Sequence, residues 1–186
     1  GYLSNNVLID VEDQTTQSIF IELIESNVKK IVLIEDFANV SCDPCVISNQ
    51  IIKNLSNNFD DQIAVIKFST NFPSPSDPFY LSNKSSNDSR MSYYNILFAP
   101  TIIIDGIHRP IPTDSNEVIS SIETRLNKYP QFKIEVRDSI SNNTMYVKGR
   151  VVKLNAEAVP SDFRLFSSII EEHIVYTTAP GSNGEK

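Results

Sequence analysis

Two cysteines three positions apart, in Cys42-Asp43-Pro44-Cys45, stand where an apolar run gives way to a helical pattern, and they are the only cysteines in 186 residues. The run Ile31 to Phe37 is short and nearly continuous, as expected of a strand buried on both faces. After the pair, Val46, Ile47, Ile51, Ile52, Leu55 and Phe59 recur at helical spacing and predict a helix from about Asp43 to about Asn58. Pro44 suits the first turn of that helix, where a missing N–H costs nothing. Gln62 to Phe68 predicts a second buried strand, so the segment reads as a βαβ unit with a right-handed crossover. The cysteines close so small a loop that cross-linking them constrains the unfolded chain very little. A disulfide-stapled scaffold would use more pairs at longer separations. The pair points to chemistry more than to mechanics.

The rest of the composition narrows the class. Apolar residues make up 40% of the chain and charged residues 21%, enough for a packed core without staples. The net charge is −7 with Lys and Arg scattered, so nucleic acid is not an expected partner, since phosphate binding needs clustered cations. No stretch approaches the roughly 20 apolar residues that cross a bilayer. Any membrane attachment would run through a lipid anchor ahead of Gly1, and the sequence leaves such a leader open.

Before the first buried strand, residues 1–30 read as a strand-bearing segment, with Val7, Ile9 and Val11 alternating and Ile19 to Ile24 open between helix and strand. Ser69 to Ser92, with Pro73, Pro75, Pro78 and a Ser/Asn-rich patch, reads as an exposed insertion with a short helix near Arg90. Thr101 to Asp105 predicts a third strand, and Asp105-Gly106 a tight hairpin into Ile107 to Ile111. Asp114 and Glu117 resemble a helix cap. Val118, Ile119, Ile122, Leu126 and Tyr129 then carry an apolar face that ends before Pro130. Residues 31–130 thus form an α/β domain, a central mixed sheet flanked by helices.

From 131 to 186 the pattern turns to β. Phe132 to Arg137, Met145 to Lys153 and Phe163 to Ile174 read as strands, with a turn at Ser141-Asn142-Asn143. Three strands do not close a sandwich. A sandwich-like module here borrows strands from the N-terminal segment or continues past Lys186.

A Cys-x-x-Cys between a buried strand and a helix has its own physical logic. The first sulfur meets the unpaired N–H groups and positive end of the helix, which favour a thiolate. The second lies one turn in, within reach of a mixed disulfide. Cys42 is then the nucleophile and Cys45 the resolving thiol; inert core cysteines or a fixed local disulfide are the alternatives. Ala99-Pro100-Thr101 opens the third strand, and a proline there belongs at a strand start because it cannot donate to a ladder. Asp36 ends the first buried strand, six positions before Cys42. No cofactor is expected. Soft thiolates suit copper or zinc, but His108 follows the turn and His173 lies in the β module, so no metal site is expected either.

Residues 31–111 resemble a thioredoxin-like domain, through the strand Ile31 to Phe37, Cys42-x-x-Cys45 and Ala99-Pro100-Thr101. The resemblance implies that Pro100 is cis, faces the cysteines and helps to hold an extended substrate. It also implies that Asp36 moves the proton of the resolving cysteine, a task that burial suits by favouring the neutral acid. More narrowly, Val32-Leu33-Ile34-Glu35-Asp36-Phe37, Tyr93-Tyr94 and Asp105-Gly106 resemble segments of the bacterial outer-membrane-protein-28-related lipoproteins. Those pair a thioredoxin-like domain with a C-terminal β-sandwich-like module. That likeness implies a lipid-anchored or secreted protein of the cell envelope, acting on protein thiols and disulfides or bound to an envelope protein. Three features depart from the pattern. The chain has no Trp, and Ser41 precedes Cys42; Ala38-Asn39 replaces a Thr-Gly pair; Asp43 sets a negative charge beside Cys42. With no cation between the cysteines, a stable disulfide and a reducing character are the expectation.

Overall fold

A computed structural model describes residues 28–154, 158–172, 174 and 176. The N-terminal strand expected at Val7, Ile9 and Val11 and the open segment Ile19 to Ile24 lie outside the described residues. The chain divides into two compact units, one built on Ile31–Lys128 and the other including Tyr129–Phe166.

The first unit is a three-stranded mixed sheet with helices on both faces. Its elements are β1 (Val32–Ala38), α1 (Asp43–Phe59), β2 (Ile63–Ser69), α2 (Pro78–Ser82), α3 (Lys84–Tyr94), β3 (Thr101–Ile104) and α4 (Ser115–Leu126). The strand order is β2-β1-β3, with β1 parallel to β2 and antiparallel to β3. β1 is central and β3 is buried throughout, so the run of apolar residues in each matches a strand covered on two faces. β2 lies at the end of that order and is only half-buried. The expectation of a fully buried second strand is corrected accordingly.

Alternation along β1 separates two cores. Val32 and Ile34 join Ile102, Ile104, Ile52 and Leu55 of α1, and Val118 and Ile122 of α4. Phe37 on the opposite face joins Ile103, Tyr80, Met91 and Ile96, with its ring stacked 5.4 Å from Phe68. Tyr129, expected on the apolar face of α4, lies beyond the end of that helix and is 73% exposed.

The short helix expected near Arg90 forms, as α3, but Ser69 to Ser92 is not wholly exposed. Asp77 caps α2, its Oδ1 accepting from the N–H groups of Phe79 (2.8 Å) and Tyr80 (2.9 Å). Pro78 opens that helix, and α3 follows through Asn83. Tyr80, Asn87 and Met91 are buried against the sheet. The buried carboxylate of Glu35 anchors α3, accepting from Arg90 Nε at 2.5 Å and from the Tyr94 hydroxyl at 2.6 Å. The Arg90 guanidinium lies 4.8 Å from each of the Tyr93 and Tyr94 ring centres. That is the role of the Tyr93-Tyr94 pair.

The turn at Asp105-Gly106 forms, with φ of 49° and 71°. Glycine is required at 106, because a Cβ there would also sit 3.3 Å from the Tyr94 hydroxyl. Asp105 Oδ1 accepts from Leu33 N–H (2.9 Å), and Oδ2 meets Arg125 Nε (2.8 Å), tying the turn to β1 and α4. The return strand is not built. Only His108 bridges back to Ile104, and Pro110 and Pro112 lack the N–H groups a ladder needs.

In the second unit β4 (Phe132–Ser141) and β5 (Thr144–Lys153) pair in antiparallel register through a turn with Asn142 and Asn143 at positive φ. The strand expected over Phe163 to Ile174, a stretch divided between the two units after Phe166, does not form in its described residues. An alternating sequence becomes a strand only when a partner takes up its N–H and C=O groups, and the described residues place none beside it. The described part of this unit is a two-stranded sheet, not a sandwich.

Candidate active site

β1 delivers the chain into the turn that carries the cysteines. Cys42 is the N-cap of α1 and donates its N–H to Asn39 O at 3.0 Å; Cys45 donates to Cys42 O at 3.1 Å. Cys42 and Cys45 are joined as a disulfide with their Cα atoms 5.3 Å apart. No side chain caps the helix, so the partial positive charge of its first turn acts on what lies beside it, the sulfurs included. Asp43 in that turn is favourable for the helix and opposes a thiolate at Cys42.

Both cysteines are covered: Cys42 is 2% exposed and Cys45 0%. They pack with Ala38 and Ala99. Above them lies an open groove of about 470 Å³, lined by the turn Ser41–Pro44, by Phe72 and Pro73, and by Leu97, Phe98 and Ala99. Pro100 follows the third wall, buried at the start of β3 and joined to Ala99 by a cis peptide bond. The cysteines and the Ala99-Pro100 segment are therefore brought together, through Ala99.

Asp36 lies elsewhere. It is wholly buried and opposite Lys67 on β2 and Ile102 on β3. Lys67 Nζ stands 3.7 Å from its Oδ2. Its place on β1, in step with Val32 and Ile34, puts it on the face that α1 covers. It does not line the groove. Ser48, one turn beyond Cys45, is also wholly buried on α1, and among the described residues its Oγ has no hydrogen-bond partner. His108 lies at the Asp105-Gly106 turn, apart from the groove residues.

Several residues of the site carried no sequence signal. Asn39 is buried and its Nδ2 donates to Thr70 O (2.6 Å) and Ser74 O (2.9 Å). Its Oδ1 accepts from Ser41 N–H at 3.0 Å. Asp77 Oδ2 accepts from Val40 N–H at 2.8 Å. These bonds tie the loop after β2 to the loop that carries Cys42. The one available hint is Asn39 itself, where the resemblance expects a small residue.

No protein-family model and no curated protein matches the chain. Among solved structures, it is similar to a thioredoxin mutant from Halobacterium salinarum at 20% identity, with 54% of this chain and 80% of that one covered and a TM-score of 0.40. It is similar to a protein from Agrobacterium tumefaciens at 14% identity, with 66% and 57% covered and a TM-score of 0.48. The germline-specific thioredoxin Deadhead of Drosophila melanogaster is similar at 14% identity, with 51% and 81% covered and a TM-score of 0.36. The fold follows from the chain itself. A strand entering Cys-x-x-Cys at a helix start, a parallel neighbour on one side, and an antiparallel neighbour opened by a cis-proline on the other make Ile31–Lys128 a thioredoxin-like unit holding a Cys42–Cys45 disulfide.

Proposed function

We propose that the chain is a thiol-disulfide oxidoreductase of the bacterial cell envelope, reducing in character. The observation that carries this reading is the position of the disulfide, at the uncapped start of α1 with Cys42 lining an open groove. In the reduced protein the Cys42 thiolate attacks one sulfur of a substrate disulfide. The substrate's S–S bond breaks, and its other sulfur leaves with the electron pair and takes a proton. Cys45, its proton passed to Asp36, then attacks the Cys42 sulfur, and the second substrate thiolate leaves and is protonated. Two electrons pass from the dithiol of this chain to the substrate disulfide, and a dithiol reductant returns them. Pro100 and the Leu97–Ala99 wall hold the extended substrate. The envelope location is supported by the likeness of Val32 to Phe37, Tyr93-Tyr94 and Asp105-Gly106 to the lipoproteins named above.

One observation favours a second reading. With Cys42 2% and Cys45 0% exposed, the pair also suits a structural disulfide in a binding module that presents its surface to an envelope partner. Thiol trapping separates the two. A Cys45→Ser protein in reduced form accumulates mixed disulfides through Cys42 if the chain is an enzyme. Absence of any adduct, with Cys42 reactive to a small alkylating agent, would leave the scaffold reading.

A further inference from the structure

Both walls of the groove are apolar, and hydrogen bonds hold each: on one, Phe98 O accepts from Thr101 Oγ1 at 2.7 Å. Leu97 and Phe98, adjacent in sequence, are 71% and 66% exposed. Large apolar side chains left in water beside a reactive pair are surfaces for an apolar partner. The opposite wall, Phe72-Pro73, is tied down on both flanks. One amide, Asn39 Nδ2, holds the carbonyls of Thr70 and Ser74, which bracket that wall. Thr70 Oγ1 donates to Phe72 O at 2.5 Å, and Thr70 N–H donates to Ala38 O at 2.8 Å. Asp77 closes the tie through Val40 N–H at 2.8 Å. Such a wall stands preformed beside the cysteine turn, so little ordering is needed when a substrate docks. Apart from Cys42 itself, Asp43 is the one ionisable residue among the described residues lining the groove, and it is next to Cys42.

Resting on the redox reading above, we propose that the substrate is a polypeptide disulfide with a bulky apolar side chain beside its attacked cysteine and no acidic one, read by Phe72 and Phe98. The carboxylate of Asp43 repels an acidic flank where the two chains come closest. Asn39 and Asp77 are positioning residues: they touch no substrate and act by fixing the Phe72-Pro73 wall. The sulfur exchange is unchanged, two electrons passing from the Cys42/Cys45 dithiol to the substrate disulfide.

The test uses the reduced full chain and three disulfides: a cyclic peptide with Leu beside both cysteines, its Asp counterpart, and neutral bis(2-hydroxyethyl) disulfide. The Leu peptide is expected to oxidise the protein at least about tenfold faster than the Asp peptide, within the range that apolar pocket contacts give. Phe72→Ala should bring that ratio down. Asp77→Asn should too, because an amide can still cap α2 through Oδ1 while its other atom no longer accepts from Val40 N–H. Partial unfolding of either variant lowers both rates and leaves their ratio standing, so a fallen ratio reports the wall. A wild-type ratio near one, or a ratio unmoved by Phe72→Ala, overturns the proposal while turnover of the neutral disulfide preserves the redox reading. No reaction with any of the three overturns the redox reading itself.

Discussion

Glu35 and Asp36 are neighbours on β1, both buried, and the pleat sends them to opposite faces of the sheet. On the face covered by α2 and α3, Glu35 receives two short charge-assisted bonds, 2.5 Å from Arg90 and 2.6 Å from Tyr94. On the face covered by α1 and α4, Asp36 is ion-paired with Lys67 of β2 at the longer distance of 3.7 Å. The contrast separates two uses of a buried charge. Glu35 is committed to holding α3 in place. Asp36, on the helix face that carries Cys45 and Ser48, is the carboxylate that the proposed exchange employs.

The contrast breaks if the two substitutions behave alike. Glu35→Gln should destabilise the protein by about 3 kcal/mol in denaturant unfolding, since Arg90 then loses the carboxylate that compensates it. Thiol exchange in the folded fraction should be retained. Asp36→Asn should do the reverse. The resolving step, followed by release of the second substrate thiol, should slow by about 100-fold, with the unfolding midpoint held or raised, because a neutral group is easier to bury. Equal effects of the two changes on both measurements would show that the faces share one role.

Smaller changes sharpen the same comparison. Tyr94→Phe removes the donor to Glu35 Oε2 and should cost about 2 kcal/mol. Burial, and after it the hydrogen bond to Glu35, raise the Tyr94 hydroxyl above its ordinary pKa of 10.0. A raised folded-state value means that the unfolded chain loses this proton first. The Tyr94 contribution is therefore complete below about pH 10 and declines as pH climbs toward the folded value. Wild type should lose stability more steeply than Tyr94→Phe in unfolding curves above pH 10. On the other face, Asp114 accepts from Asn116 N–H (3.0 Å) and Glu117 N–H (3.2 Å) at the start of α4. Asp114→Ala should cost about 1 kcal/mol in thermal unfolding, without altering thiol exchange.

The two regions also differ in how far they could be read in advance. β1, α1, β3 and α4 were legible because each states its own period and ends: a continuous apolar run, apolar residues at helical spacing, Pro44 in a first turn, Asp114 as a cap. Of Ser69 to Ser92 only the short helix near Arg90 was. The segment's mean polarity hides five buried positions, Thr70, Asp77, Tyr80, Asn87 and Met91. The bonds that bury Asn87 run to the Phe79 and Tyr80 carbonyls and to Ser69 N–H, and the last lies 18 residues away. The expected strand at Phe163 to Ile174 had the right alternation, but among the described residues it has no partner, and a ladder is made by two chains of hydrogen-bonding groups rather than one. Asn39 read as a departure from a family pattern. In the fold it is the clasp between two loops 31 residues apart.

Local chemistry in the sequence set the pieces: a strand running into two cysteines at a helix start, a carboxylate six residues before them and a proline at a later strand start. Those depend on periodicity, backbone freedom and capping, which act over a few residues. Which buried carboxylate meets Arg90 and Tyr94 and which meets Lys67, which aromatic side chains border the sulfurs, and how two loops are clasped into a groove came only with the tertiary structure. Those outcomes rest on contacts between residues tens of positions apart, and no short-range pattern encodes their distances.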